Sequence, residues 1–434
     1  MPTMLLIYTH KITPRFRYTM KQVFTRILGV QISLTTTVED FIKHTGPKIT
    51  YTKQPLQNEF FIRSNDLLFQ QGINDFAISM GDWEGVPCFF AAGDRSSIPF
   101  DIFSASFFLL SRYEEYLPHV KDRHGRFSPK DSIAHRGGFL ELPVVDLWAY
   151  QLWDSLKQRF PDITSTARAY KYTSLLDVTT SHCYAHRGLM RSVGGLFLDL
   201  GGLRLKKVFQ RIKVWFRPSL DPFNNFGFLV DVHKKYRVQS QFFFQFASYS
   251  TYDKNVSPNN NSFRSLIKSI ADYSRVSLAA SYSSLNDTAL LKNEKRRLEE
   301  VINRPVNCCR MRYNRVELPH TYRSLVEAEF TNDYTMGYTH EIGFRAGTCT
   351  PFYLYDLALE LQQPIRLHPF ALHDYALRES TDKAEIMEKV MNLHAVVKKV
   401  NGYFITIFSN ELLGGDHPLD WKELYEDLLR DCHV

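Results

Sequence analysis

Apolar and polar positions switch between two periods along this chain, near two and near 3.6 residues, and the switches mark out its elements. Residues 4–9 read as a strand and 14–28 as a helix, with extended pieces near 31–36, 48–53 and 59–63, the order of a small α/β unit. Residues 101–117, DIFSASFFLLSRYEEYL, predict a helix capped by Asp101 after Pro99. A polar, turn-rich loop, KDRHGRFSPKDS, follows at 121–132, and VVDLWAYQLWDSLKQRF at 144–160 predicts a second helix that Pro161 ends. The pattern changes character near 165–170, so two domains are expected, at 1–168 and 169–434.

Beyond residue 172 short apolar runs recur: YTSLLDV, SQFFFQFA, VSLAAS, EIGFRAG and GYFITIFSN. Helical stretches are expected between them at 221–236, 261–273, 287–302, 320–329, 352–362 and 382–400. Strands alternating with helices imply parallel pairing. That many units predict an α/β fold with a distorted (β/α) barrel of about seven strands, its functional residues at the C-terminal strand ends. A smaller α/β and helical domain would precede it.

Composition narrows the function classes. With 44 % hydrophobic residues in 434, the chain has material for a large core. A net charge of +7 is too mild at this size to argue for nucleic acid. The six cysteines form no C-x-x-C pair, which excludes a common zinc signature and a disulfide framework and fits a reducing, cytoplasmic compartment. The opening MPTMLLIYTH reads as a strand rather than a signal peptide, and no run of roughly 18 apolar residues predicts a membrane span. No Gly-rich phosphate loop follows the first strand.

One segment stands apart. In 201–218, GGLRLKKVFQRIKVWFRP, residues Leu205, Val208, Phe209, Ile212, Trp215 and Phe216 share one helical face. Arg204, Lys206, Lys207, Arg211, Lys213 and Arg217 surround the rest. The pattern fits a helix lying on a membrane surface, which would make the protein peripheral to the inner membrane. It better fits an amphipathic helix packed over the barrel mouth with its basic side to solvent, because core-facing helices carry the same pattern.

Three strand ends carry polar groups where a barrel builds its site: Asp177 in LLDVTT, Arg345 in FRAG, and Ser409 with Asn410 in FSN. Taken alone, each fits a loop or helix cap. Together with LDVTTSHCYAHRG, SYSS, ELPHTYRSL, NDYTMGY, GFRAGTCTPFYLYDL and LHPFALHD, they resemble the NodB-type polysaccharide deacetylases. The closer resemblance is to a bacterial subgroup with an extra N-terminal domain, to which PFDIFSASFFLLSRYEEYL, KDRHGRF and LELPVVDLW are similar.

That resemblance implies hydrolysis of a sugar N-acetyl group. A divalent metal, commonly zinc, would be held by one aspartate and two histidines, with a second aspartate as base and a late-strand histidine as acid. Carried over residue by residue, Asp177 keeps the base position, and Arg345 would orient it. Thr179 stands where the ligand aspartate is expected, Ala279 and Ala280 replace a His-Pro pair, and Arg312 falls at a further histidine position. Ser409 replaces the acid, while Tyr282, Tyr334 and Asn410 would line the substrate pocket.

Threonine is a poor zinc ligand, alanine offers no lone pair, and arginine repels a cation. The resemblance therefore implies a catalytically impaired relative that binds a carbohydrate or glycolipid and needs no cofactor. The alternative is an active deacetylase whose zinc, or another divalent metal, is held by relocated ligands from among His182, His186, His340 and His368. A metal-free hydrolase with Asp177 as base is a variant of it. A membrane-peripheral assembly protein acting through 201–218 is the third reading.

Overall fold

The computed structural model describes residues 4–433. Its first unit is a four-stranded parallel sheet: β1 (Leu5–Tyr8), β2 (Ile32–Thr35), β3 (Lys48–Thr52) and β4 (Phe60–Arg63), in the order β2-β1-β3-β4. β1 is wholly buried, as a parallel strand covered on both faces must be. Helix α1 (Pro14–Met20) starts where the Thr13 hydroxyl accepts from the Phe16 amide and Pro14 needs no partner of its own. It runs on as wider turns to Ile27, so the expected element at 14–28 is present. β5 (Met80–Trp83) and β6 (Val86–Phe89) form an antiparallel hairpin beside this sheet.

Helix α2 (Ile102–Leu110) is capped by Asp101, which accepts from the amides of Phe103 and Ser104. The helix expected to reach residue 117 stops early, because Arg112 turns into the left-handed region at φ 53°. There its guanidinium binds Glu114 and Glu115 beneath the surface. Helix α3 (Val144–Arg159) ends before Pro161, as expected. Its buried Asp146 accepts from Arg168, Thr348, Thr350 and the Cys349 amide, tying the two halves of the chain together.

The second sheet has nine strands: β7 (Lys171–Val178), β8 (Gln239–Gln245), β9 (Arg275–Ala280), β10 (Cys308–Met311), β11 (Asn332–Asp333), β12 (Phe352–Asp356), β13 (Leu361–Leu367), β14 (Leu372–His373) and β15 (Tyr403–Ser409). Their order is β12-β13-β11-β10-β9-β8-β7-β15-β14, parallel throughout except for β12 against β13. The end strands β12 and β14 are not neighbours in this order. Leu175, Phe243, Ala279, Cys308, Ile405 and Ile407, drawn from five strands, pack into one buried cluster on one face of the sheet, and that face is concave enough for side chains of β7 and β10 to meet across the two strands between them.

Two expected elements differ. Residues 352–362 are not a helix but β12 and its turn into β13, because this segment pairs antiparallel with Leu361–Leu367, and its near-continuous burial fits a strand covered on both faces. EIGFRAG is a loop, not a strand. Within it Gly343, at φ +121°, lets the backbone pass so close to Leu140 that a Cβ would lie 2.3 Å from its carbonyl oxygen.

Candidate functional site

Asp177 lies near the C-terminal end of β7, opposite Ser409 on β15 and Phe243 on β8. The period of two puts it one layer above Leu175 on the concave face. In the same way Arg310 lies one layer above Cys308 on β10 and is paired in register with Ala279 on β9. The Arg310 guanidinium reaches across and forms an ion pair with the Asp177 carboxylate through Oδ2. Its other terminal nitrogen donates to Asn314, and its plane lies 5.6 Å from the Phe370 ring centre. The side chains are 4 % and 13 % exposed, so the pair is nearly dry. Asp177 Oδ1 and Arg310 Nε are buried without partners.

A second dyad faces this pair from β14. His373 Nδ1 is 2.7 Å from Asp374 Oδ1, and its Nε2 is 4.0 Å from Asp177 Oδ2. Burial, then the hydrogen bonds from His373 and Ser409 and the charge of Arg378, act on the Asp374 carboxyl. The latter outweigh burial and hold it well below its ordinary value. Burial lowers the His373 imidazole, against the opposing pull of Asp374. Near neutral pH, Asp374 is therefore ionised and His373 neutral, with Nδ1–H donating to Asp374 and the Nε2 lone pair turned to Asp177. That nitrogen can take a proton from a hydroxyl or a water set between the two groups.

The structure corrects several sequence expectations. The cation beside Asp177 is Arg310, not Arg312: the two share a parity, but β10 ends at Met311, so only Arg310 projects from the strand toward Asp177. Arg312 begins the following turn, with its guanidinium 4.4 Å from the Tyr313 ring centre and its Nε 3.9 Å from Asp253. Arg345 does not orient Asp177. It donates to both carboxylate oxygens of Glu115, because the loop carrying it packs against the turn after α2. Tyr334 sits in the buried layer below the Asp177 pair, stacked 4.3 Å from His368, rather than lining the cleft. Asn410 is fully buried and donates to the carbonyls of Thr180 and Phe223, a loop clamp.

Ser409 donates to Asp374 at 2.6 Å and accepts from the Leu412 amide, capping the short helix after β15. Thr179 donates to Glu411 at 2.8 Å. Ala279 stands between Gln245 and Arg310 in register, a small side chain that leaves the guanidinium its path. Tyr282 lies on an aromatic rim just beyond β9 and β10. It stacks 3.9 Å from Tyr252, with the Arg315 guanidinium 3.9 Å from its own ring centre. His124 stacks 4.8 Å from Tyr313 alongside.

The donor set does not fit a three-ligand zinc site at Asp177. One oxygen of that carboxylate is held by a guanidinium, and Asp374 is committed to His373, Ser409 and Arg378. The relocated histidines do not converge. His182 and His186 face each other at 5.0 Å, His368 binds Asn332, and His340 lies by Tyr375. Among the described residues no group of three or more His, Cys, Asp or Glu is placed to hold a metal ion.

Arg310 and His373 are the two groups that sequence reasoning passed over. Each left a signal: an arginine inside the apolar run CCRM, and a histidine beside an aspartate at the end of LHPFALHD.

The segment at 201–218 is part of a helical hairpin, α4 (Leu189–Gly201) and α5 (Leu205–Phe216). It does not pack its apolar face over the sheet. Only Arg211 and Val214 of α5 are buried, and Leu205, Phe209, Ile212, Trp215 and Phe216 are exposed. Among the described residues no helix is long and apolar enough to cross a membrane.

Residues 5–161 match DUF7033, a family of unknown function. No curated protein matches the chain. Among solved structures, a Mycobacterium smegmatis protein assigned as a polysaccharide deacetylase is similar at 16 % identity, over 61 % of this chain and 86 % of its own, with a TM-score of 0.38. A GH138 enzyme targeting pectin rhamnogalacturonan II is similar at 12 % identity, over all of this chain and 64 % of its own, with a TM-score of 0.25.

Proposed function

We propose that the chain is a polysaccharide-deacetylase-like protein of glycan metabolism that binds a carbohydrate or glycolipid above Asp177 without a resident metal. One observation carries the reading. Where the sequence resemblance implies a cation held beside Asp177, the Arg310 guanidinium fills that role. It supplies one positive charge and in-plane donors, and it supplies no Lewis acidity. Tyr252, 41 % exposed and backed by Tyr282, presents an aromatic ring beside buried polar groups, a lining suited to a sugar. In this reading the nine-stranded sheet is the wall of a distorted barrel of the deacetylase type, and residues 1–168 are a domain of their own. The compartment is the cytoplasm.

Metal analysis of the purified protein after dialysis against zinc tests the reading, together with calorimetric titration of N-acetylglucosamine oligomers. The expected result is substoichiometric metal and sugar binding that Tyr282→Ala weakens. About one zinc per chain, with N-deacetylase activity that chelation removes, would overturn it.

A second reading is favoured by the His373–Asp374 dyad: a metal-free hydrolase in which Nε2 takes a proton from water or a hydroxyl. Activity on N- or O-acetyl sugars that survives chelation and is lost in His373→Asn would establish it.

A further inference from the structure

The basic charge of this protein is not spread over its surface. Residues 187–217 hold eight Lys and Arg against the single Asp199, a net of +7, which equals the formal net charge of all 434 residues. The rest of the chain is therefore neutral overall. The same thirty-odd residues carry the densest run of exposed apolar side chains. Met190, Phe197 and Leu198 on α4 are 90 %, 68 % and 78 % exposed, and Leu205, Phe209 and Phe216 on α5 are 67 %, 71 % and 83 % exposed. Scattered single apolar residues are normal on a surface; a two-helix face of them is not.

The helices are oriented, not loose. Arg211 and Val214 point to the body: Arg211 pairs with Asp199 at 2.8 Å and lies 4.8 Å from the Tyr184 ring centre, while Val214 packs on Tyr184 and Ala185. A Cβ on Gly195 would lie 2.7 Å from the Arg211 guanidinium, so the glycine gives that anchor its room. At about 100° per residue, Leu205, Phe209, Ile212 and Phe216 fall on the side of α5 turned away from Val214. Lys206 and Lys213 lie along one edge of that stripe, Lys206 also pairing with Asp416 at 2.8 Å. Apolar residues outermost with cations along their edge is the arrangement of a helix lying in a lipid interface.

We infer that the α4–α5 hairpin docks the protein on an anionic lipid bilayer, the apolar stripe entering the headgroup boundary and the lysines and arginines meeting lipid phosphates. Charge complementarity selects this occupant. A second copy would bring one +7 hairpin against another, whereas an anionic bilayer neutralises the charge and accepts the apolar stripe together. A cavity of about 870 Å³, lined by Tyr184, His186, Arg187, Arg191 and Trp215, opens at the base of the hairpin and adds two guanidinium groups to that surface. The inference does not rest on the reading of the Asp177 cleft.

The test is co-sedimentation of the full chain with phosphatidylcholine vesicles, with and without phosphatidylglycerol, across a salt series, with tryptophan fluorescence as a second readout. Binding is expected to need the anionic lipid, weaken with salt and shift the emission to the blue. Lys206→Gln, Lys213→Gln and Arg217→Gln combined should weaken partitioning roughly 100-fold. Phe209→Ser with Phe216→Ser should abolish it, with the circular dichroism unchanged because both side chains are exposed. No vesicle binding, or equal binding to neutral and anionic vesicles, overturns the inference. So does a dimer that the two serine substitutions dissolve. Sugar titration is unaffected by these variants, so this inference and the cleft reading fail separately.

Discussion

Arg310→Met removes the cation that balances Asp177, and the structure sets the cost. The carboxylate meets that guanidinium through Oδ2 alone, its Oδ1 has no partner, and its other ionisable neighbour, His373, is neutral at 4.0 Å. With side chains 4 % and 13 % exposed, loss of either partner strands a charge in a nearly dry site, about 3–5 kcal/mol. Asp177→Asn strands the guanidinium, which keeps its Asn314 contact, and should cost a comparable amount. The double variant strands neither charge and loses only the hydrogen bond to Asn314, about 1 kcal/mol. The two single losses therefore should not add. Urea unfolding of the four proteins, followed by tryptophan fluorescence and circular dichroism, should give a coupling of at least about 2 kcal/mol. Losses that add to within about 0.5 kcal/mol would refute the idea that the guanidinium serves as the counter-charge of this site.

Further outcomes follow from other buried groups. Burial pushes the Glu294 carboxyl up to about 7 against the donors of Ser281, so the folded state holds its proton longer than the unfolded chain. Stability should fall as pH rises from about 4.5 to 7, and Glu294→Gln should recover roughly 2–3 kcal/mol at pH near 8 and nothing near 4, read by thermal unfolding across pH. Glu115 is the opposite case: burial raises its carboxyl, but Arg345 and Arg112 outweigh it and bring it down to about 2. That contribution, about 3 kcal/mol, is present above about 4.5 and is lost as pH falls toward 2. Arg345→Met should destabilise by about 3–5 kcal/mol at neutral pH without changing sugar affinity, because its partner is Glu115 and not the cleft. Asn410→Ala should cost about 1–3 kcal/mol by leaving the Thr180 and Phe223 carbonyls without their donor, measured by urea unfolding.

The sequence by itself determined the local elements. Short apolar runs marked β7, β8, β9 and β15, the Asp101 cap marked α2, and Pro161 marked the end of α3, because each signal acts within a few residues. It also placed Asp177 at a strand end and showed that Thr179, Ala279 and Ser409 lack the chemistry of a zinc site or its acid. Where a signal needed a distant partner, only the tertiary structure decided. YLYD could pair as β12 only once β13 was beside it. Arg345 and Arg310 are both arginines near polar strand ends, and sequence spacing cannot say which one meets Asp177. Strand parity turned Arg310 inward, and the packing of a loop on the turn after α2 gave Arg345 to Glu115. The stripe on α5 is the clearest case. Its periodicity fixed which residues share a face, and the anchoring of Arg211 and Val214 decided that this face looks outward.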